Sequence, residues 1–290
     1  MRRAGRPDTL LLVEGALLAA ITVILATVGL YLPIGYLSLV IPVPIIVLVY
    51  RHGLEAGILV SVVAALLTGV LSHVLQGTVM VLALAAVGLA IGEAMRGQLT
   101  PGQVVAVGTA ASLVVTLLTL GLVFWLFGIN ELAELSKLLE ESLRLSGDFY
   151  LRLGLVKPEQ LKQWQEALLH AFRTLLPSSL LLSAALTVYV NHWLAQKVLY
   201  KLGQPTPGFP PFAEWRLPAL WRWPGVLLLA AAVGMHLLPS PVAKAAGSNL
   251  LLLLAVIYYV QGLSILWFFL RQYRVSGFLR VVILLLALFN

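Results

Sequence analysis

The residues that could carry chemistry are few and widely spaced. Histidines stand at 52, 73, 170, 192 and 236, with no His-Glu-x-x-His run and no metal-ligand spacing. Cysteine is absent, which excludes disulfides, haem attachment and thiolate metal sites. There is no Gly-x-x-x-x-Gly-Lys-Ser/Thr run, so the chain is not an ATPase by itself. Catalytic residues, metal ligands and cofactors are therefore all expected to be none. What remains is a set of polar residues in apolar surroundings: Asn191, His192, Gln261 and Ser264, with Trp267 nearby as an aromatic wall. In lipid an amide must find a partner, so these residues either bond helix to helix or line a small-molecule pocket.

The elements that must hold them are membrane helices. The chain is 60% hydrophobic and 11% charged, with a mean hydropathy of +0.98, far from a soluble average. Apolar runs long enough to cross about 30 Å of hydrocarbon recur throughout. The expected fold is all-α, a polytopic transmembrane bundle of about eight full spans plus a truncated ninth. An amphipathic helical hairpin is expected on its outer side. The net charge of +7 sits mostly in short loops, where it suits topology and anionic headgroups rather than a nucleic-acid partner. The basic start, Met1 to Asp8, precedes an apolar run too long for a signal peptide and without an Ala-x-Ala site, so a retained first helix is expected.

The bundle is organised around Pro33 to Gly57. This stretch is apolar enough for a membrane but carries Pro33, Pro42 and Pro44 before a turn at Arg51-His52-Gly53. Proline removes a backbone donor and clashes with the preceding turn, which lipid tolerates only where protein or a water-lined cavity re-satisfies the freed groups. Pro42 and Pro44 are thus candidate ligand-binding positions at opened backbone. The expected spans are Leu10 to Leu32, with Asp8-Thr9 as N-cap; Ile34 to Tyr50, interrupted by the prolines; Leu54 to Leu75; Thr78 to Met95; and Val104 to Ile129. Thr116 and Thr119 in the fifth can bond back to the helix backbone. In the first span Gly15, Ala16, Ala19 and Ala20 form two overlapping small-xxx-small pairs.

From Asn130 to about Arg173 the chain holds most of its acidic residues. Leu132, Leu135, Leu139 and Leu143 make one helical stripe. Leu161, Trp164, Leu168, Phe172 and Leu175 make a second, after Pro158 at a first-turn position. Gly147-Asp148 and Gly154 are expected to separate the two. This hairpin reads as a lid or a structural elaboration. A sixth span follows from Leu175 to Leu194, continuing as helix to Leu202. The Pro/Trp-rich stretch 203–224 suits the headgroup level. The last spans are expected from about Trp221 or Pro224 to Leu238, from Ser248 to Leu270, and, cut short, from Phe278 to Phe289. By domain, this gives an N-terminal five-helix unit at 1–129, an extracytoplasmic hairpin at 130–174 and C-terminal membrane helices at 175–290, expected to integrate into one membrane domain.

Lysine and arginine placement puts the N-terminus on the inner, cytoplasmic side of the membrane. Arg2, Arg3, Arg6, Arg51, Arg96, Lys197, Lys201, Arg216, Arg222, Arg271 and Arg274 fall on that side, and Lys244 alone in the short outer loops. No Asp or Glu lies mid-span. Glu14, Glu55 and Glu93 sit near inner helix ends, where Arg51 can pair with Glu55 at i,i+4 and Arg96 with Glu93 at i,i+3. Proton- and sodium-driven transporters place ionisable residues at depth, so a self-energised pump is not expected.

Two patches carry a resemblance. Residues 16–67, with the proline-bearing loop, the Pro-Ile-Ile second helix and Gly53-Leu-Glu-Ala-Gly57, resemble the start of the S components of energy-coupling-factor (ECF) transporters. PVPIIVLVYRHG (42–53) and YYVQGLSILWFFLRQ (258–272) resemble the YybS-like family of bacterial membrane proteins, a likeness that covers most of the chain. The S-component likeness implies a bundle that binds a small molecule for uptake and is energised by a transmembrane coupling protein and ATPases. It implies a docking face at Gly15, Ala16, Ala19 and Ala20. The alternative is a structural or assembly protein of the envelope. A remote third reading, an intramembrane hydrolase, would use Gly262-Leu-Ser264, which has no second glycine.

Overall fold

The computed structural model describes residues 9–31 and 37–289. Asp8, Arg2, Arg3, Arg6, Leu32, Pro33 and Ile34, and the expectations that rest on them, lie outside the described residues. The regular elements of the described residues are helices: α1 (Thr9–Tyr31), α2 (Pro42–His52), α3 (Leu54–Leu71), α4 (Val74–Arg96), α5 (Pro101–Phe127), α6 (Glu131–Arg152), α7 (Pro158–Lys201), α8 (Arg222–Leu237), α9 (Pro241–Gln272) and α10 (Gly277–Phe289). Among the described residues seven helical runs are long and apolar enough to cross a membrane: α1, α3, α4, α5, α7, the run Ala219–Leu237 that contains α8, and α9. The polytopic helical bundle read from the sequence is the fold observed.

The chain divides into two compact units. One comprises residues 1–131 and 183–208, the other 132–182 and 209–290. At the centre of the first unit lies α2. Ile45, Ile46, Leu48 and Val49 are fully buried in it, so it is apolar all round, as a helix enclosed by others must be. Glycines let its neighbours close in. A Cβ on Gly88 of α4 would stand 3.0 Å from the Pro42 carbonyl oxygen, and one on Gly92 would stand 2.7 Å from the Val49 Cβ. The second half of α7 joins this core through Val188, Ala195 and Leu199, which cluster with Val43, Ile46, Val47, Val87 and Ile91.

The second span differs from the expectation of a full crossing. Its helix has 11 residues, roughly 16 Å of rise, and a short 3₁₀ turn, Leu37–Val40, precedes it. Pro42 and Pro44 occupy its first turn, where the N–H groups have no intrahelical partner in any case. The prolines therefore start the helix and do not interrupt it. Gly53, at φ +94°, ends it and α3 begins at the next residue. That turn separates Arg51 and Glu55 onto different helices, so their expected i,i+4 pair does not form and Arg51 pairs with Glu14 instead. The Arg96–Glu93 pair does form, at 3.9 Å and half exposed.

In the second unit α6 runs unbroken through Gly147 and Asp148, contrary to the expected break there. Gly147 is a close-packing point: a Cβ on it would stand 2.8 Å from Leu161 Cδ2. The turn is made by Gly154 alone, at φ +66°. The hairpin is tied by the Gln165 amide donating to the Leu143 carbonyl (2.9 Å) and by Arg173 with Glu140 (2.7 Å). Its second arm and the expected sixth span are a single 44-residue helix, α7, with Pro177 inside it; the expected boundary at 174/175 is absent. On α6 the Lys137 amine is held above its ordinary range by its hydrogen bond to Glu134 and by the attraction of that carboxylate. The final helix, α10, has 13 residues, too few to cross.

Close packing makes a direct prediction. Gly92→Val forces side chain and backbone apart at the α2–α4 contact, and overpacking of this kind costs about 1–3 kcal/mol. Gly121→Ala on α5, with open space around it, is expected to be neutral or slightly stabilising. Thermal unfolding in one detergent compares the two, and equal midpoints for G92V and wild type would contradict the packing described.

Candidate functional site

The first unit contains a cleft of about 760 Å³ between α4 and α5. It opens along the C-terminal two thirds of α5. That helix is started firmly, by Pro101 and by a capping box in which Thr100 and Gln103 each bond the other's backbone. Its buried residues, Val104, Gly108 and Thr109, all fall in the first third, and a Cβ on Gly108 would stand 2.8 Å from Ile91 Cγ1. From Ser112 onward no residue of α5 is fully buried, and the space between the two helices opens. Apolar side chains such as Met80, Ala83, Val87, Val115 and Val123 line most of it. Ser112, Thr116 and Thr119 add one row of hydroxyls at i, i+4 and i+7. The Thr119 hydroxyl donates to the Val115 carbonyl (2.9 Å), as read from the sequence. His73, Gln76 and Glu131 line the end where α4 begins and α5 finishes.

A second polar cluster joins α1 to the end of α2. Arg51 donates to Glu14 Oε1 at 2.7 Å, and His52 Nε2 stands 2.6 Å from Glu14 Oε2. The C-terminal end of a helix favours cations, and the single carboxylate balances the basic pair placed there. The arrangement fastens two helices; it brings no nucleophile or second carboxylate with it.

The candidates expected from sequence separate between the units. In the first, Pro42 and Pro44 are buried at the start of α2, and Asn191 and His192 are buried in α7, at 0% and 1% exposure. The Asn191 amide donates to the Thr187 carbonyl (2.9 Å), and its Oδ1 has no hydrogen-bond partner among the described residues. In the second unit Gln261 accepts from the Leu217 N–H (2.8 Å) and donates to the Trp215 carbonyl (3.0 Å). Ser264 donates to the Phe212 and Trp215 carbonyls at 2.7 and 2.9 Å. Both side chains thus hold the irregular 212–217 backbone against α9. Trp267 lies under Arg280, with 5.8 Å from guanidinium to ring centre. None of the seven lines the α4–α5 cleft. On α1, Gly15 and Ala19 are buried, Gly15 facing Val60, while Ala16 and Ala20 are exposed.

One residue of structural weight was not singled out in the sequence. Pro177 interrupts the hydrogen-bond ladder of α7, and one residue on, the Asn249 side chain of α9 completes it. Asn249 Oδ1 accepts from the Ser178 N–H (2.9 Å), and its Nδ2 donates to the Thr174 carbonyl (2.6 Å). The only sequence signal was an amide near the start of an apolar helix. The cleft residues left a fainter one, the hydroxyl row on α5.

The family model described as "Predicted membrane protein (DUF2232)" matches residues 20–290. The chain is also similar to a Bacillus subtilis (strain 168) protein described as "Uncharacterized protein YybS", 24% identical over 286 residues that cover 96% of this chain and 90% of the relative. No solved structure matches.

The Asn249 bridge yields a double-mutant prediction. Asn249→Leu leaves the Ser178 N–H and Thr174 carbonyl unpaired in apolar surroundings, at about 1–3 kcal/mol each. In a Pro177→Ala background, where the helix can close its own ladder, the same change is expected to cost less than half as much. Denaturation of the four variants measures this; equal costs in both backgrounds would refute the coupling.

Proposed function

The chain belongs to the DUF2232 family of predicted membrane proteins, YybS-like in sequence, and from that premise we propose that it is a small-molecule-binding membrane protein of S-component-like type. In this reading it sits in the bacterial inner membrane with its N-terminus cytoplasmic. It binds a small molecule for uptake, and a separate transmembrane coupling protein with ATPases supplies the energy. The observation that carries the reading is the α4–α5 cleft, whose volume of about 760 Å³ lies within the range of about 300–1,000 Å³ usual for small-molecule sites. Support also comes from the sequence, where no carboxylate lies at mid-span to drive transport from within. Asn191, His192, Pro42 and Pro44, expected from the sequence as ligand contacts, belong to the first unit but do not line this cleft. Gln261 and Ser264 act by holding the 212–217 segment against α9, and Trp267 packs against Arg280 of α10.

The docking face narrows to Ala16 and Ala20, the outward members of the small-residue pairs. A second reading, an envelope assembly protein without transport activity, draws on the exposed apolar residues near the hairpin turn, Phe149, Leu153 and Leu155.

Native mass spectrometry of protein purified gently from its own membranes tests the binding reading. An added mass of a few hundred daltons is expected on the wild type and expected to be lost from Ala83→Trp and from Val123→Trp, each of which fills the cleft. A bare wild-type protein, or an adduct unchanged in both variants with intact thermal midpoints, would overturn it. The docking face has a separate test. Ala16→Trp with Ala20→Trp is expected to abolish copurification of the energising partner, and undiminished recovery of that partner would remove the assignment.

A further inference from the structure

Resting on the binding reading above, we propose that the occupant of the α4–α5 cleft is an amphiphile with an amine-bearing head. Its apolar chain lies between the two helices and its head lies at Glu131. The first argument is the surroundings. α4 and α5 are 23 and 27 residues long and apolar enough to cross the membrane. A gap between two such helices borders hydrocarbon, so its contents come from the bilayer and not from water. An apolar solute gains no hydrophobic free energy on passing from lipid into an apolar cleft. Affinity must then come from close packing along the walls and from polar contacts at the end.

The second argument is the segregation of the lining. From Val79 to Val87 on α4 every lining residue is apolar. On α5 the hydroxyl of Thr119 is turned back to its own helix, which leaves a methyl group for the cleft. The ionisable and amide groups of the lining are confined to one end, His73, Gln76 and Glu131, while Ser112 and Thr116 add only neutral hydroxyls along α5. Among the described lining residues Glu131 is the one acidic group, with no lysine or arginine beside it. A carboxylate next to an apolar cleft favours a cationic head and disfavours an anionic one, because charges at the edge of a low-dielectric medium interact strongly.

Depth supplies the third argument. From Phe127 back to Ser112 the lining runs along roughly 22 Å of helix, most of the about 30 Å of hydrocarbon in a bilayer. The cleft therefore suits a long, extended apolar chain. An amine head on such a chain is common to long-chain amines and to aminophospholipids, and the test separates them.

Delipidated protein is given octadecylamine or stearic acid at equal concentration near neutral pH, and bound adducts are counted by native mass spectrometry. The amine is expected to bind about tenfold more tightly or better, and Glu131→Gln to shrink the difference to about threefold or less. Ala83→Trp is expected to remove both adducts. Nanodiscs of phosphatidylethanolamine and of phosphatidylglycerol give the second arm. Retention of the former lipid alone, lost in Ala83→Trp, identifies an aminophospholipid; retention of neither, with octadecylamine still bound, identifies a single-chain amine. Equal or tighter binding of stearic acid, or adducts that persist in Ala83→Trp, would overturn the proposal. If neither probe binds but a water-soluble molecule adds a mass that Ala83→Trp removes, the amphiphile falls while the binding reading stands. If nothing sensitive to Ala83→Trp binds, both fall.

Discussion

An unfinished backbone hydrogen bond in hydrocarbon has no water to complete it, and the irregular points of this chain answer to that constraint. At Pro177 the ladder of a 44-residue helix is interrupted, and the Asn249 amide supplies both a donor and an acceptor to the neighbouring Ser178 and Thr174 groups. Between Phe212 and Leu217 the chain leaves helical geometry, and Gln261 and Ser264 take up three of its carbonyl and amide groups. At α2 the remedy is positional: Pro42 and Pro44 stand where the helix has no N–H bonds to lose. Gln261 and Ser264, which look like ligand contacts when counted along the sequence, are the completion of a neighbour's backbone.

Packing in the first unit follows from the same economy. Because α2 is short, buried and free of polar side chains over most of its length, α3 and α4 can approach it through Gly57, Gly88 and Gly92. The Glu14–Arg51–His52 cluster fastens α1 to its C-terminal end. The close contact of Gly108 with Ile91 fixes one end of the α4–α5 pair. Beyond Thr109 no residue of α5 is buried, and there the cleft opens.

Much of the architecture could be read from hydropathy, since a membrane helix must satisfy its backbone within itself and so appears as a long apolar run. The failures have specific causes. The apolar run through residues 34–50 is continuous, but hydropathy does not distinguish a 3₁₀ turn followed by a short helix from one full span. The expected Arg51–Glu55 pair assumed a single helix, and Gly53 ends one and begins another. Pro177 and the pair Gly147-Asp148 both carry the composition of a boundary, yet each lies inside a helix: beside Pro177 the Ser178 N–H is taken up by Asn249, 71 positions further on, and Gly147 is a contact point for Leu161. The cleft was least legible, because it depends on which faces of two helices separate. The hydroxyl row at 112, 116 and 119 marks a face without saying what the face meets.

The central claim, that the α4–α5 cleft is a binding site, is tested most directly by a cryo-electron microscopy map of the protein taken from its own membranes into nanodiscs. The account predicts elongated density of non-protein origin between Met80–Val87 and Ser112–Val123, continuous toward Glu131. A map in which α5 closes onto α4 along its whole length, leaving no such density, would contradict it.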